Sequence, residues 1–367
     1  MSSTVAADSA AGWRLLGTPR EELRLEFTLP TGQSFRWRET GPDEYTGVVG
    51  QRVVRMRQLE DDVGWQVLAR GPGADPSEDA AVLHDYFTLD TKLATLNSEW
   101  AAACSHFAKV HPFFPGCRML RQDPVETLFQ FLCSSNNHIS RIQLMIERLC
   151  AQWGSPLLLA EEADAKAAAS GPQSSAFESF FAFPTLDQLA AATEAELRAA
   201  GFGYRARFIT GSVAALRAGG GDAWLRALRG RPTAEVVAAL CALPGVGPKV
   251  AACVALFSLD AHDAIPVDVH VWNLACRHYT PHLRHKALTP ALHGAVQAAF
   301  VSRFGPYAGW AHNTLFVSDL RRFKDRTAAR RGKKRVPGAL DAESRALGPS
   351  TPPLKAEEDK GGALEGR

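Results

Sequence analysis

The stretch Leu243-Pro244-Gly245-Val246-Gly247-Pro248-Lys249 constrains this chain more than any other, because it breaks a helix and starts another within seven residues. Upstream, Val236, Val237, Leu240 and Cys241 fall at helical spacing, with Thr233 as the expected N-cap. Pro244 must end that helix. Pro248 then sits where a first helical position accepts proline, and Val250, Cys253, Val254 and Phe257 fall at i, i+3, i+4 and i+7 of a second helix. The expectation is helix, tight turn, helix over residues 234–258. Gly245 and Gly247 lack β-carbons, so a phosphate can approach backbone N–H groups at the positive end of the second helix. Glycine turns between helices are also common in proteins with no phosphate ligand, so the turn alone is a weak signal.

Two residues near it sharpen the reading. Lys249 occupies the second helical position, where its charge opposes the helix dipole. The dipole and partial desolvation both lower an ammonium pKa, which is what a nucleophilic amine requires near neutrality. Nineteen positions later, Asp268 precedes the periodic run Val269, Trp272, Asn273, Cys276, and spacing alone makes it a helix N-cap. A capping carboxylate stays ionised and rigid, so the same residue can hold a negative charge beside a developing cation.

The hairpin ending in PGVGPK and the following PVDVHVW resemble the helix-hairpin-helix DNA glycosylase superfamily. More narrowly, five ordered stretches resemble the eukaryotic 8-oxoguanine DNA glycosylases: PTGQSFRWRE at 30–39, LRQDPVETLFQFLCSSNN at 120–137, GFGYRAR at 201–207, the hairpin, and GPYAGWAHNTLF at 305–316. Together they cover about residues 13 to 322. The resemblance implies a bifunctional DNA glycosylase/lyase that removes 8-oxoguanine, and ring-opened purines, opposite cytosine. In that scheme the base is flipped out, Lys249 attacks C1′, Asp268 steadies the cationic sugar, and an imine leads to β-elimination. It further implies a base pocket of Gly32, Cys253, Pro266, His312 and Phe316. The Gly32 carbonyl would read the N7 proton of the oxidised base, and Cys253 and Phe316 would sandwich the ring. Tyr204 would wedge into the stack, Asn136, Arg141 and Arg205 would contact the estranged cytosine, and His270 would touch a phosphate beside the Gly245, Gly247 and Val250 amides.

Two departures stand out: His312 where the family usually has glutamine, and His138 where it has a third asparagine. Neutral imidazole has one donor and one acceptor on opposite ring sides and cannot copy an amide's adjacent pair. Two alternatives stay open: a glycosylase of the same superfamily for another lesion, and a lesion-binding module without catalysis, against which the presence of both Lys249 and Asp268 argues.

Composition agrees. With 367 residues and 46% hydrophobic content the chain can bury a large core, and a formal net charge of +2 means DNA affinity must come from locally placed charge. Seven cysteines without CxxC spacing suit a reducing compartment and lack the C-terminal cluster of the iron-sulfur branches. The mechanism needs no cofactor or metal; a structural cation, monovalent or divalent, on the hairpin carbonyls is all the resemblance adds. No segment has signal-peptide or membrane-spanning character, and a monomer acting on double-stranded DNA containing oxidised guanine is expected.

The expected fold is α+β: residues 1–12 disordered, 13–110 an N-terminal antiparallel β domain, 111–325 a helical glycosylase region, and 326–367 a basic, disordered tail. Alternation of Leu23, Leu25, Phe27 and Leu29, then short runs through Phe35, Trp37, Tyr45, Val48 and Val53, favours strands. Asp123 caps a helix with Pro124 first and Val125, Leu128, Phe129 and Leu132 on one face. Residues 160–180, rich in alanine and serine, form an insertion. Residues 321–335 hold nine Lys or Arg against one Asp: a solvated run, a nuclear-import signal or a DNA-attracting arm. A nuclear location follows, with a mitochondrial form left open.

Overall fold

A computed structural model describes residues 12–159, 179–323 and 326. The expected N-terminal tail, nearly all of the 160–180 insertion and the C-terminal tail beyond 326 lie outside the described residues.

Five strands form one antiparallel sheet: β1 (Arg14–Leu15), β2 (Trp37–Gly41), β3 (Glu44–Val49), β4 (Arg52–Gln58) and β5 (Val63–Arg70), in the order β1-β5-β4-β3-β2. Its inner face, with Trp37, Tyr45, Val54, Met56 and Trp65, packs on Leu23, Leu25, Leu29 and Phe87. The α+β expectation holds.

The alternating run from Leu23 to Leu29 is not a strand. Leu25–Thr28 forms one helical turn, α1, and Leu29–Thr31 a 3-10 turn. The segment is buried on both sides: Leu23, Leu25 and Leu29 face the sheet core while Phe27 enters the helical core. Apolar residues are therefore needed in every direction, and period carries no information about backbone conformation.

Helix α2 (Leu93–Ala103) starts against a distant carboxylate: Glu22 accepts from the Leu93 and Ala94 N–H groups at 2.8 and 3.0 Å. Glu22 also pairs with Arg118, wholly buried, which donates to the carbonyls of Thr88 and Thr91 at 2.7 and 2.9 Å. Helix α3 (Pro124–Leu132) is capped by Asp123, which accepts from Val125 and Glu126 at 2.9 and 3.0 Å, as expected. Every residue of α3 is buried, not one face only. Burial pushes the Glu126 carboxyl up to about 7 against the pull of the Arg36 guanidinium.

Polar side chains stitch the two cores together. Gln33 donates to the carbonyls of Thr28 and Arg118 at 3.0 and 2.9 Å and accepts from Leu120 N–H at 3.0 Å. Gln122 donates its amide to the Gln33 carbonyl at 2.5 Å and its backbone N–H to the Phe257 carbonyl at 2.8 Å. At the start of the basic run Arg322 pairs with Glu39 at 3.0 Å and Arg326 with Glu26 at 2.7 Å, the latter guanidinium lying over Phe27, and both arginines stay exposed. All seven cysteines are free, and among the described residues no helix is long and apolar enough to cross a membrane.

Candidate active site

Helix α4 (Ile139–Trp153) and α5 (Arg205–Ala218) precede the hairpin, which is α6 (Thr233–Cys241) and α7 (Pro248–Ser258); α8 (Val269–His278) and α9 (Ala308–Asp319) follow. Thr233 is the first helical residue rather than the cap. Pro232, at φ −53 and ψ 134, occupies the capping position, and the Thr233 hydroxyl donates to the Asp263 carboxylate instead.

The two turn glycines answer to different demands. Gly245 has φ +78, and a β-carbon there would lie 2.4 Å from the Phe208 ring of α5. Gly247 has extended backbone at φ −94, and a β-carbon there would meet nothing within 4 Å. The protein's own packing requires the first glycine, whereas the second leaves open surface from which a ligand can reach the backbone. Ser212 Oγ, donating to the Pro244 carbonyl at 2.9 Å, ties the turn to α5. Pro248 opens α7 as expected, and the Val250 side chain is buried, so only its backbone can meet an anion.

Lys249 is half-buried in the first turn of α7. Its Nζ donates to Ser134 Oγ at 3.2 Å and stands 5.3 Å from the centre of the Phe131 ring. Asp268 caps α8, accepting from Val271 N–H at 2.9 Å, so the expected cap is present. Cys253 lies one helical turn after Lys249 and is 2% exposed. Burial pushes its thiol up to about 11; the Lys249 cation pulls the other way and Asp268 pushes in the same direction. Both charges therefore act on one sulfur, and that sulfur stays protonated and does not compete with the amine as a nucleophile.

His312, on α9, is buried, and neither ring nitrogen has a hydrogen-bond partner. Burial pushes its pKa down to about 4 against opposing pulls from Asp268 and the Gly309 carbonyl; the latter lies one turn back without closing a hydrogen bond. The imidazole is neutral at physiological pH. It stacks on half-buried Phe316 at 6.2 Å between centroids and meets Phe300 edge-on at 5.6 Å. Pro266 is buried just before Asp268. Lys249, Cys253, Asp268, His312 and Phe316 thus form one chain of neighbouring interactions. Gly32 lies against α4, where φ is +90 and a β-carbon would stand 3.2 Å from Ile139 Cδ1.

The loop between α3 and α4 gathers the remaining predicted residues. Asn136, exposed, adopts φ +48, a left-handed conformation that asparagine tolerates better than most side chains. The Ser135 carbonyl accepts from Tyr204 Oη at 3.0 Å and from the Arg205 guanidinium, which also donates to the Asn136 carbonyl at 3.2 Å. Arg205 is 3% exposed and stacks beneath Tyr204, which is 41% exposed. So Arg205 is a buried brace here, while Tyr204, Arg141 and His270 face solvent. His138 caps α4: its Nδ1 accepts from Arg141 N–H at 3.4 Å and contacts Ser140 Oγ at 3.0 Å, supplying the acceptor an asparagine would have provided. The sequence reading passed over Ser134 and Gln33, although both stand inside the quoted stretches; neither residue type announces a partner far along the chain.

Residues 15–128 match the model of the 8-oxoguanine DNA glycosylase N-terminal domain, and residues 129–291 that of the HhH-GPD superfamily base excision DNA repair protein. The chain is 46% identical over 310 residues to the N-glycosylase/DNA lyase OGG1 of Arabidopsis thaliana, covering 84% of this chain and 80% of that protein. It is 33% identical over 340 residues to the N-glycosylase/DNA lyase of Saccharomyces cerevisiae, covering 83% and 85%. Among solved structures it is similar to the Clostridium acetobutylicum 8-oxoguanine glycosylase/lyase in complex with double-stranded DNA containing cytosine opposite 8-oxoG. That match has a TM-score of 0.67 and 25% identity and covers 85% of this chain and 93% of that one.

Proposed function

The chain belongs to the 8-oxoguanine DNA glycosylase family of the HhH-GPD superfamily and is an N-glycosylase/DNA lyase, and from that premise we propose how its residues remove 8-oxoguanine opposite cytosine in base excision repair. The glycosidic carbon is hidden in a duplex, so the nucleotide must be extruded at a cost of a few kcal/mol. Tyr204, already exposed, fills the gap it leaves. Asn136, Arg141 and Arg205 offer donors to the O2 and N3 acceptors of the estranged cytosine, Arg205 by exchanging the Ser135 carbonyl for the base. Backbone N–H groups at Gly245, Gly247 and Val250, with His270, hold phosphate.

In its deprotonated form the Lys249 amine attacks C1′, its lone pair forming the C–N bond as the electron pair of the glycosidic bond leaves with the base. Asp268, held rigid by its cap, steadies the positive charge that develops on the sugar. The nitrogen then gives up two protons, one to the departing base and one to O4′ as the C1′–O4′ bond breaks and the C1′=N imine forms; this imine acidifies C2′, and loss of a C2′ proton expels the 3′ phosphate and cuts the strand. The Gly32 carbonyl accepts the N7 proton of the oxidised base, and guanine, with a lone pair there, would leave it unsatisfied at about 1–3 kcal/mol. Ring-opened purines that keep an equivalent donor fit the same reading, between Cys253 and Phe316 with Pro266 and His312 at the edges.

One arrangement carries this mechanism: a half-buried amine at Lys249, 3.2 Å from Ser134 Oγ, and an Asp268 carboxylate fixed by its cap both lie beside Cys253. A cation on the hairpin carbonyls would only brace the turn; among the described residues no group of three His, Cys, Asp or Glu could hold a metal. A monomer and a nuclear location, with the basic run at 321–335 as the nuclear address, complete the reading. The test is borohydride trapping on duplexes carrying 8-oxoguanine opposite each normal base. A covalent adduct strongest opposite cytosine and abolished by Lys249→Gln is expected, and undiminished base release by Lys249→Gln would overturn the mechanism.

A further inference from the structure

We propose that Ser134 is a positioning residue for the Lys249 amine and that it links the identity of the opposite base to the chemical step. This rests on the proposed roles of Lys249 and of Asn136 and Arg205. Ser134 Oγ donates to the Phe131 carbonyl at 2.7 Å, the end of a wholly buried helix, so its hydrogen is committed. Only lone pairs remain toward Lys249, 3.2 Å away. The amine must therefore donate, and committing one N–H to Ser134 Oγ leaves a neutral amine's lone pair only the two remaining tetrahedral positions, both directed away from the serine. On a four-carbon stem that restraint matters, because small misplacements of a reacting atom lower rates steeply.

The same short loop touches the other strand's readers. The residue after Ser134 lends its carbonyl to Tyr204 and Arg205, and the next is Asn136 in its left-handed conformation. Asn137 holds the loop to α3 through the Cys133 carbonyl at 2.9 Å. When Arg205 leaves the Ser135 carbonyl for cytosine, the loop must adjust, and Ser134, one residue away, moves with it. A wrong opposite base draws Arg205 differently and leaves the amine misaimed. Through Ser134 and the two residues after it, the loop joins the lesion's attacker to the partner base's readers.

The experiment is single-turnover base release by full-length Ser134→Ala and Ser134→Thr on 8-oxoguanine opposite cytosine and opposite adenine, alongside duplex affinity and melting temperature. Ser134 is half-buried and at the end of a helix, so the alanine variant is expected to fold with an unchanged melting temperature. Expected for Ser134→Ala is a roughly tenfold slower release opposite cytosine, a cytosine-to-adenine rate ratio shrunken toward one, and unchanged affinity, with Ser134→Thr, which keeps the hydroxyl, close to the parent. An unchanged ratio in Ser134→Ala, whether the rates fall equally or not at all, overturns the proposal. If the parent itself forms no borohydride adduct, the proposed function fails instead, and that result is separate.

Discussion

Replacing His312 with phenylalanine tests the pocket through stability rather than activity. Both ring nitrogens are buried without partners, and an unsatisfied buried polar group costs about 1–3 kcal/mol. Phenylalanine preserves the stacking on Phe316 and the edge contact with Phe300, so His312→Phe should be about 1–3 kcal/mol more stable at pH 7. A second effect depends on pH. The folded chain holds His312 near 4 against 6.5 in an ordinary environment, so on acidification the unfolded chain takes up the proton first. The stability tied to the neutral ring is complete above pH 6.5 and is lost progressively as pH falls toward 4. Each tenfold change in proton affinity is about 1.4 kcal/mol, so this ring removes about 3 kcal/mol from the parent over that window and nothing from the variant. Burial also lowers His106 to about 4, and His262 and Glu126 titrate abnormally as well, but those groups are common to both proteins and cancel in the difference. Urea unfolding followed by tryptophan fluorescence at steps from pH 7.5 to 4 measures that difference directly. It should widen by about 3 kcal/mol as the pH falls, while excision of 8-oxoguanine slows in the variant. Parallel stability curves for the two proteins would show that the ring is not held neutral, and the reasoning would fail.

Two further substitutions separate roles that share one residue. Asp268→Asn keeps a good N-cap and removes the charge, so its melting temperature should match the parent while single-turnover base release falls by orders of magnitude. Asp268→Ala should additionally lose about 1 kcal/mol of stability, read by urea unfolding. Gly245→Ala forces a β-carbon into the Phe208 ring at a left-handed backbone position, so it should destabilise the fold by more than about 1 kcal/mol and weaken duplex binding. Gly247→Ala, with open space around it, should keep the parent's melting temperature and lose affinity only, which fluorescence anisotropy with a labelled duplex would show.

Local signals in the sequence carried far. Asp123 before Pro124, Pro248 opening α7 and Asp268 before α8 all act within three residues, and chemistry at that range is visible in a string of letters. Thr233 failed by one position because Pro232 supplied the extended backbone that ends the loop. The run from Leu23 to Leu29 failed for a different reason: burial on two sides erases the periodicity that distinguishes strand from helix. Contacts across long stretches of chain were invisible. Ser134 meets Lys249 across 115 residues and Arg118 meets Glu22 across 96, and nothing in either residue's neighbours announces the partner. Arg205 was legible as a cation near the interface, but its burial under Tyr204 was not.

Gln33 follows Gly32 in the chain, and Gln122 donates its side-chain amide to the Gln33 carbonyl and its backbone N–H to the Phe257 carbonyl of the Lys249 helix. The two glutamines thus act as a caliper between the turn that carries Gly32 and the helix that carries Lys249. Both are buried, Gln33 at 1% and Gln122 at 4% exposed, so the spacing they set is shielded from solvent. Drift in that gauge would loosen fidelity without altering a single group that meets the substrate.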